Sequence, residues 1–120
     1  MKELLPSMEF EFDFDSIGEE THQKYLGKFK YRRLNIKNRT EQIKMKVKLD
    51  ESLQIDDELY MLFEMVSWLR FGFVSYPDWW KENDYGLELY DINIITELYK
   101  KVNEFENNWS KQLLEKKKDE

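Results

Sequence analysis

Met8-Glu-Phe-Glu-Phe-Asp-Phe-Asp15 decides the fold, because apolar and acidic residues alternate strictly along it. A period of two is typical of a β-strand with one buried face. Turn-forming residues follow at 16–21 and predict a break in the strand. We therefore expect a strand near residues 8–15. Its inward side chains would be Met8, Phe10, Phe12 and Phe14, and its outward side chains Glu9, Glu11, Asp13 and Asp15.

A second alternating stretch carries basic residues in place of acidic ones. Its apolar face holds Phe29 and Tyr31, and its outer face holds Lys28, Lys30 and Arg32. The phase changes near 32–33, which predicts a bulge or a strand end. Antiparallel pairing with the first strand would set acids beside bases, a contribution of about 0.2–1 kcal/mol per pair. The two stretches together predict a β-hairpin with strands near 8–15 and 25–33.

Two later stretches have the three- and four-residue spacing of amphipathic helices. The first begins at the acids 56–58 and ends at Gly72; the second begins at Asp91, a predicted N-cap, and includes a Glu97–Lys101 pair. They predict helices near 56–71 and 91–115 that pack on each other. The expected contacts join Leu98, Val102 and Phe105 to Leu62, Phe63 and Val66.

Two further segments are less regular. Residues 39–50 alternate like a strand, yet Asn38 and Glu41 have the spacing of a helix cap with its reciprocal acid, so strand and helix both remain open. In the connector 76–80, Pro77 favours an extended backbone before it, and Asp78 is a predicted cap for a short turn.

The composition fits one folded domain. Of the 120 residues, 41% are hydrophobic and 16% aromatic, a content that disordered chains lack. The sequence predicts a single α+β domain over residues 1–120, with an N-terminal antiparallel β-hairpin packed on about three α-helices and flexible ends near 1–6 and 114–120. It contains no cysteine, which excludes disulfides and thiolate zinc sites. No apolar run approaches ~20 residues, and residues 1–7 do not resemble a signal peptide, so we expect the protein to stay where it is made.

Charge is segregated along the chain, although the net charge is only −6. Residues 24–48 carry ten lysines and arginines against one acid, whereas 49–97 carry twelve acids against two bases. A basic block can bind nucleic acid. Acidic blocks flank this one and it lacks a nucleic-acid motif, which favours pairing within the fold or with another protein. We expect neither a nucleic-acid nor a membrane partner.

No set of residues predicts catalysis. His22 is the only histidine, and the alternating carboxylates of 9–15 diverge along a strand, which suits metal binding poorly. Asp78, Glu82 and Asp84 are explained as caps or surface acids rather than as an acid–base pair. The sequence also lacks phosphate loops, dinucleotide fingerprints and Ser-His-acid sets. We expect a non-enzymatic protein without metal or cofactor.

Aromatic residues are the candidates for protein contact. Adjacent Trp79 and Trp80 cannot both point the same way, so we expect one in the core and the other partly exposed. Their acidic neighbours disfavour stacking on nucleic acid, which leaves core packing first and a protein-contact patch second. The candidate contact residues are Trp79, Trp80, Tyr76, Trp109 and Phe73.

An ordered series of segments lies between Gly27 and about Trp109, a region that spans some two-thirds of the chain. These are the stretch from Gly27 to Ile36, Glu58-Leu-Tyr-Met-Leu-Phe-Glu-Met-Val66, Phe71-Gly-Phe-Val74, Tyr76-Pro-Asp-Trp-Trp80 and the stretch from Asp91 to Glu106. In this order and spacing, they resemble the tail assembly chaperones of long-tailed bacteriophages. The resemblance favours a helix over 39–50, whereas strand 8–15 is more acidic than the family would lead us to expect.

The resemblance implies a non-enzymatic role in virion morphogenesis, in the cytoplasm of the infected host. Such chaperones coat the tape-measure protein, keep it soluble, recruit tail-tube subunits and leave the particle; self-association remains open here. The alternatives are a structural virion component, such as a neck or tail-completion protein, and an acidic inhibitor of a host protein.

The family is often also made in a longer, frameshifted form. The codons of Lys116-Lys117-Lys118 are A-rich and permit a −1 slip, although the sequence alone favours the simpler explanation that the charged tail is a solubilising end.

Overall fold

A three-stranded antiparallel sheet packs with four helices in the computed structural model, which describes residues 5–53 and 57–118. The three strands lie in the sheet in their chain order, and the prediction of an α+β fold with an N-terminal hairpin is confirmed. Within the described ranges, no helix has both the length and the apolar character needed to cross a membrane. In chain order the elements are β1 (Glu9–Ile17), β2 (Lys24–Arg32), α1 (Ile36–Leu53), α2 (Asp57–Gly72), β3 (Phe73–Ser75), α3 (Asp78–Glu82) and α4 (Ile92–Lys118).

The hairpin pairs in the register that its charges favour. Glu11 lies opposite Lys30 across β1 and β2. The Nζ atom of Lys30 lies 3.3 Å from Oε1 of Glu9, and Nζ of Lys28 lies 3.3 Å from Oε1 of Glu11. Because these side chains are 40–62% exposed, the pairs add little stability and mainly favour this register over a shifted one.

The inner face of the hairpin forms the aromatic half of the core. The buried side chains are Phe12, Phe14, Tyr25, Phe29 and Tyr31. The predicted strand end after Arg32 is confirmed, but the inward placement of Met8 is wrong, since this side chain is 39% exposed. Met8 precedes β1 and is held at the open end of the hairpin, where its carbonyl accepts the Arg33 N–H at 2.9 Å.

The third strand, β3, was not predicted. It pairs antiparallel with β2, where Tyr31 lies opposite Phe73 and Lys30 opposite Ser75 with a register shift between them. Gly72 ends α2 as predicted and lets it reach the sheet, because any side chain there would collide with the Tyr31 ring. Asp56, predicted at the start of this helix, lies outside the described residues; α2 begins with Asp57 and Glu58 in its first turn.

Residues 36–53 form helix α1, so the segment 39–50, for which strand and helix both remained open, is helical. The side chain of Asn35 accepts the Asn38 N–H at 2.8 Å, and the Asn35 N–H donates to the side chain of Asn38 at 3.4 Å. This reciprocal pair is a capping box. The predicted cap is therefore corrected by three residues, since Asn35 caps the helix and Asn38 is its reciprocal partner.

Replacing Asn35 by alanine should lower the free energy of unfolding by about 1 kcal/mol, because the Asn38 N–H loses its acceptor. Urea unfolding followed by circular dichroism measures the change. Asn38→Ala is the matched control and should cost less, since its hydrogen bond is the longer of the two. An equal cost for both substitutions would contradict the assignment of Asn35 as the cap.

The last helix packs partly as predicted. Leu98 and Val102 are buried in the same core cluster as Val66. Phe105, expected against α2, instead packs on the sheet: its ring centroid lies 5.1 Å from that of Phe10 and 5.8 Å from that of Tyr31. Helix α4 therefore bridges α2 and the hairpin.

Two predicted side-chain roles near these helices are wrong. Glu97 does not pair with Lys101; its carboxylate accepts the Ser16 hydroxyl at 2.7 Å and the Asn93 side-chain amide at 2.7 Å, which holds it beside the end of β1. Asp78 does not cap α3 but is its first residue, and the N-cap position belongs to Pro77, which makes no side-chain cap bond.

Asp91, the residue before α4, is buried and ties the hairpin loop to the helix. Its Oδ1 accepts the backbone N–H groups of Glu20 and Thr21 at 2.8 and 2.9 Å, and its Oδ2 accepts the hydroxyls of Thr21 and Tyr25 at 2.5 and 2.9 Å. Burial opposes ionisation, but the hydrogen bonds from Thr21, Tyr25 and Glu20 outweigh it and lower the pKa of Asp91 to about 2. Any side chain at Gly18 would collide with this carboxylate. Asp91 stands at the predicted N-cap position, directly before Ile92, but its carboxylate accepts hydrogen bonds from the hairpin and not from the first turn of α4.

Candidate protein-contact surface

The adjacent tryptophans divide between core and surface, as expected. Trp80 is 0% exposed, and its ring centroid lies 5.6 Å from that of Phe73 and 6.0 Å from that of Phe29. Trp79 is half-buried, and its Nε1 donates to the carbonyl of Leu26 at 2.8 Å. The pair therefore attaches α3 to the sheet.

The other three predicted contact residues are also largely covered. Phe73 is 4% exposed, and Trp109 is 9% exposed beneath the guanidinium of Arg33, whose carbon lies 3.6 Å from the ring centroid. Tyr76 is half-buried, with its ring edge-on to that of Tyr85. Of the five candidate contact residues, Phe73, Trp80 and Trp109 are therefore buried, whereas Trp79 and Tyr76 keep part of their side chains exposed.

A polar network joins β2, α2 and α4 beneath the surface. Glu106 accepts the Tyr31 hydroxyl at 2.7 Å and Nε of Arg33 at 2.7 Å, and Nε1 of Trp68 donates to the Tyr31 hydroxyl at 2.9 Å. Burial and then the hydrogen bond to Glu106 raise the pKa of Tyr31 well above its usual value. The phenol therefore stays protonated at ordinary pH and acts as a fixed donor between the elements.

The titratable residues considered for chemistry lie on the surface. His22 is exposed in the hairpin loop at φ 63°, and Asp78 and Glu82 are exposed on α3. Asp84 lies 3.7 Å from Arg70. Among residues 5–53 and 57–118, no group of three or more histidine, aspartate or glutamate side chains is arranged to hold a metal ion.

An apolar groove lies between the start of α2 and the first turns of α4. We call it the acidic groove, because two of its lining residues are exposed carboxylates. Its volume is about 580 Å³. Two methionines line it, which suits a site that adapts to the shape of a partner. The lining residues are Asp57, Glu58, Leu59, Met61, Leu62, Met65, Ile92 and Thr96.

A second apolar surface runs along the solvent face of α1. Ile36, Ile43 and Val47, which we call the α1 ridge, are 87%, 49% and 47% exposed. Their spacing of seven and four residues places them on one side of the helix. Exposed basic side chains flank the ridge at Lys37, Arg39, Lys44 and Lys48.

Sequence reasoning missed both surfaces, although α2 carried a signal. Apolar residues occur on nearly every side of α2, more than one buried face requires. Met61 lies off the Leu62, Phe63, Val66 and Leu69 stripe and is 56% exposed. An apolar residue outside a stripe that already accounts for the core marks a surface with another use.

The two surfaces differ in charge as well as in position. The acidic groove belongs to the acidic block 49–97, whereas the α1 ridge belongs to the basic block 24–48. No family model, no curated protein and no solved structure matches this chain.

Proposed function

We propose that this protein is a non-enzymatic tail-morphogenesis protein of a long-tailed bacteriophage. It acts in the host cytoplasm as an assembly chaperone that binds the tape-measure protein, tail-tube subunits or both. The resemblance of residues 27–109 to tail assembly chaperones supports this proposal from the sequence. The acidic groove is the single structural observation that carries it, because the groove offers an exposed apolar site for another protein.

The groove suits one face of an amphipathic helix. Such a helix presents apolar side chains at i, i+3, i+4 and i+7, and an apolar groove receives them as anchors. Met61 and Met65 adapt to side chains of different shape, which a chaperone of a long repetitive helix requires. Asp57 and Glu58 favour helices with basic residues beside the apolar face.

The net charge supports the same role. A net charge of −6 opposes nonspecific aggregation of a protein with exposed apolar surfaces, although complementary patches on two copies can still attract each other. A tape-measure protein is long and helical, so it offers many amphipathic faces. A chaperone that covers those faces prevents them from associating with each other before the tail tube forms around them.

Substitution of the groove should separate binding from folding. Met61→Glu places a third carboxylate among apolar lining residues, and we expect it to weaken binding of the tape-measure protein roughly tenfold or more. Co-expression followed by co-purification measures the loss. Leu114→Glu is the control, because Leu114 is 59% exposed on α4 and does not line the groove. If the tape-measure protein precipitates equally with and without the unaltered chain, the chaperone proposal fails.

Mass spectrometry of purified virions tests the second part of the proposal. A chaperone leaves the particle, so peptides of this chain should be absent from virions that contain the tail tube. Presence in a fixed ratio to other tail proteins would instead identify a neck or tail-completion protein.

A further inference from the structure

We propose that the α1 ridge of one copy docks into the acidic groove of a second copy. This contact goes beyond the chaperone function and concerns the protein in the absence of any client. Each copy carries one ridge and one groove, so each can bind two neighbours.

The ridge is held facing solvent by the opposite side of α1. Gln42 is 2% exposed and donates through Nε2 to Oγ of Ser67 at 2.9 Å, and Nζ of Lys46 lies 2.7 Å from Oε2 of Glu64. These polar contacts fix α1 on α2 and fix its rotation. The ridge therefore points away from its own α2 and cannot enter the groove of its own chain in this conformation.

Exposure makes the ridge a docking element. Ile36 is 87% exposed, and Ile43 and Val47 are each about half exposed, so the row has apolar surface free to be covered. Covering apolar surface stabilises an association by about 25 cal/mol per Å² before the costs of binding are subtracted. A helix that presents isoleucine and valine in one row has the form that apolar grooves receive.

Charge identifies the partner surface. Lys37 and Lys48 lie beside the ridge, and Asp57 and Glu58 lie in the groove, so docking brings opposite charges together. A ridge facing a ridge, or a groove facing a groove, would bring like charges together. Complementarity of this kind favours the correct pair and penalises the incorrect ones.

The contact is heterologous, because it joins two different surfaces. A heterologous contact leaves one free ridge and one free groove at the ends of every assembly, so assemblies continue to grow unless they close into a ring. A small contact of this kind is weak and reversible. The mass in solution should therefore rise with protein concentration.

Two variants with one defective surface each provide the test. Ile43→Glu places a negative charge in the ridge, and Met61→Glu places one in the groove, so each variant has one surface that cannot dock. Both side chains are about half exposed, so both variants should fold with an unchanged melting temperature. Sedimentation velocity should show each variant alone as a 14.9 kDa monomer. Mixed in equal amounts, they should form a dimer and nothing larger, because only one intact ridge and one intact groove remain. Leu114→Glu should associate like the unaltered chain.

The result is independent of any phage partner. An unaltered chain that stays monomeric at about 1 mM, or a mixture that stays monomeric, would overturn the proposal. Dimers of either variant alone would also overturn it, because they require a contact between like surfaces. Ile43→Glu has an intact groove, so it should lose self-association and keep tape-measure binding. If the unaltered chain self-associates but does not bind the tape-measure protein, the proposed function is rejected and the contact between copies is still supported.

Discussion

Replacing Trp80 by alanine is expected to lower the free energy of unfolding by about 3–5 kcal/mol, the range for truncating a buried large aromatic side chain. Trp80 is 0% exposed and lies edge-on to Phe29, Phe73 and Trp79, so its loss leaves a cavity among rings that cannot all close it. Urea unfolding followed by far-ultraviolet circular dichroism measures the loss without relying on the deleted fluorophore.

Trp80→Phe is the matched control, since it keeps most of the ring and removes a polar atom. Nε1 of Trp80 is buried and has no hydrogen-bond partner among the described residues. Losing an unsatisfied donor offsets part of the lost packing, so this substitution should cost less than half as much as alanine. Equal costs would show that the indole N–H contributes to stability. A negligible cost for alanine would show that the core is not packed around Trp80.

Replacing Asp91 by alanine should lower the melting temperature by roughly 10 °C or more, because several hydrogen-bond donors lose their acceptor at once. The affected donors are two backbone N–H groups and the hydroxyls of Thr21 and Tyr25. Asp91→Asn keeps the shape and one oxygen while it removes the charge, so it should fall between alanine and the unaltered chain. A melting temperature unchanged in Asp91→Ala would mean that the loop does not depend on this carboxylate.

Lowering the pH should remove the stability that the ionised Asp91 carboxylate contributes. The pKa of Asp91 is lowered from 3.8 to about 2 in the folded chain, so its ionised form is favoured by folding. The resulting stability is fully present above pH 3.8 and is lost as the pH falls through about 2. The difference in melting temperature between the unaltered chain and Asp91→Asn should therefore be constant at neutral pH and should narrow below pH 4. A difference that widens on acidification would contradict this assignment.

The sequence predicted the features that local pattern determines. The hairpin follows from alternation within two short stretches, and its register follows from an acidic row facing a basic one, as Glu11 opposite Lys30 illustrates. Helix α2 follows from a continuous apolar stripe. In α1, lysine–methionine alternation imitated a strand, and the cap that marks the helix lies three residues before the expected one.

Features made by distant residues could not be predicted in this way. Strand β3 has three residues, too few for alternation to show. Asp91 has the residue type of an N-cap, but its donors come from a loop about 70 residues earlier in the chain. The acidic groove joins Met61 to Ile92, and an aromatic such as Trp80 gives no local sign of whether the fold will bury it. These features depend on which distant residues the fold brings together, and the local sequence pattern does not contain that information.

The link between Asp91 and the hairpin loop also determines the order in which this chain can finish folding during synthesis. The strands of the hairpin can pair early, because their contacts are local. Its loop donors at Glu20 and Thr21 have no carboxylate to bind until residue 91 has emerged. Helix α4, which packs on the hairpin, follows that residue in the chain. We therefore expect the hairpin loop to reach its final structure only after residue 91 is available.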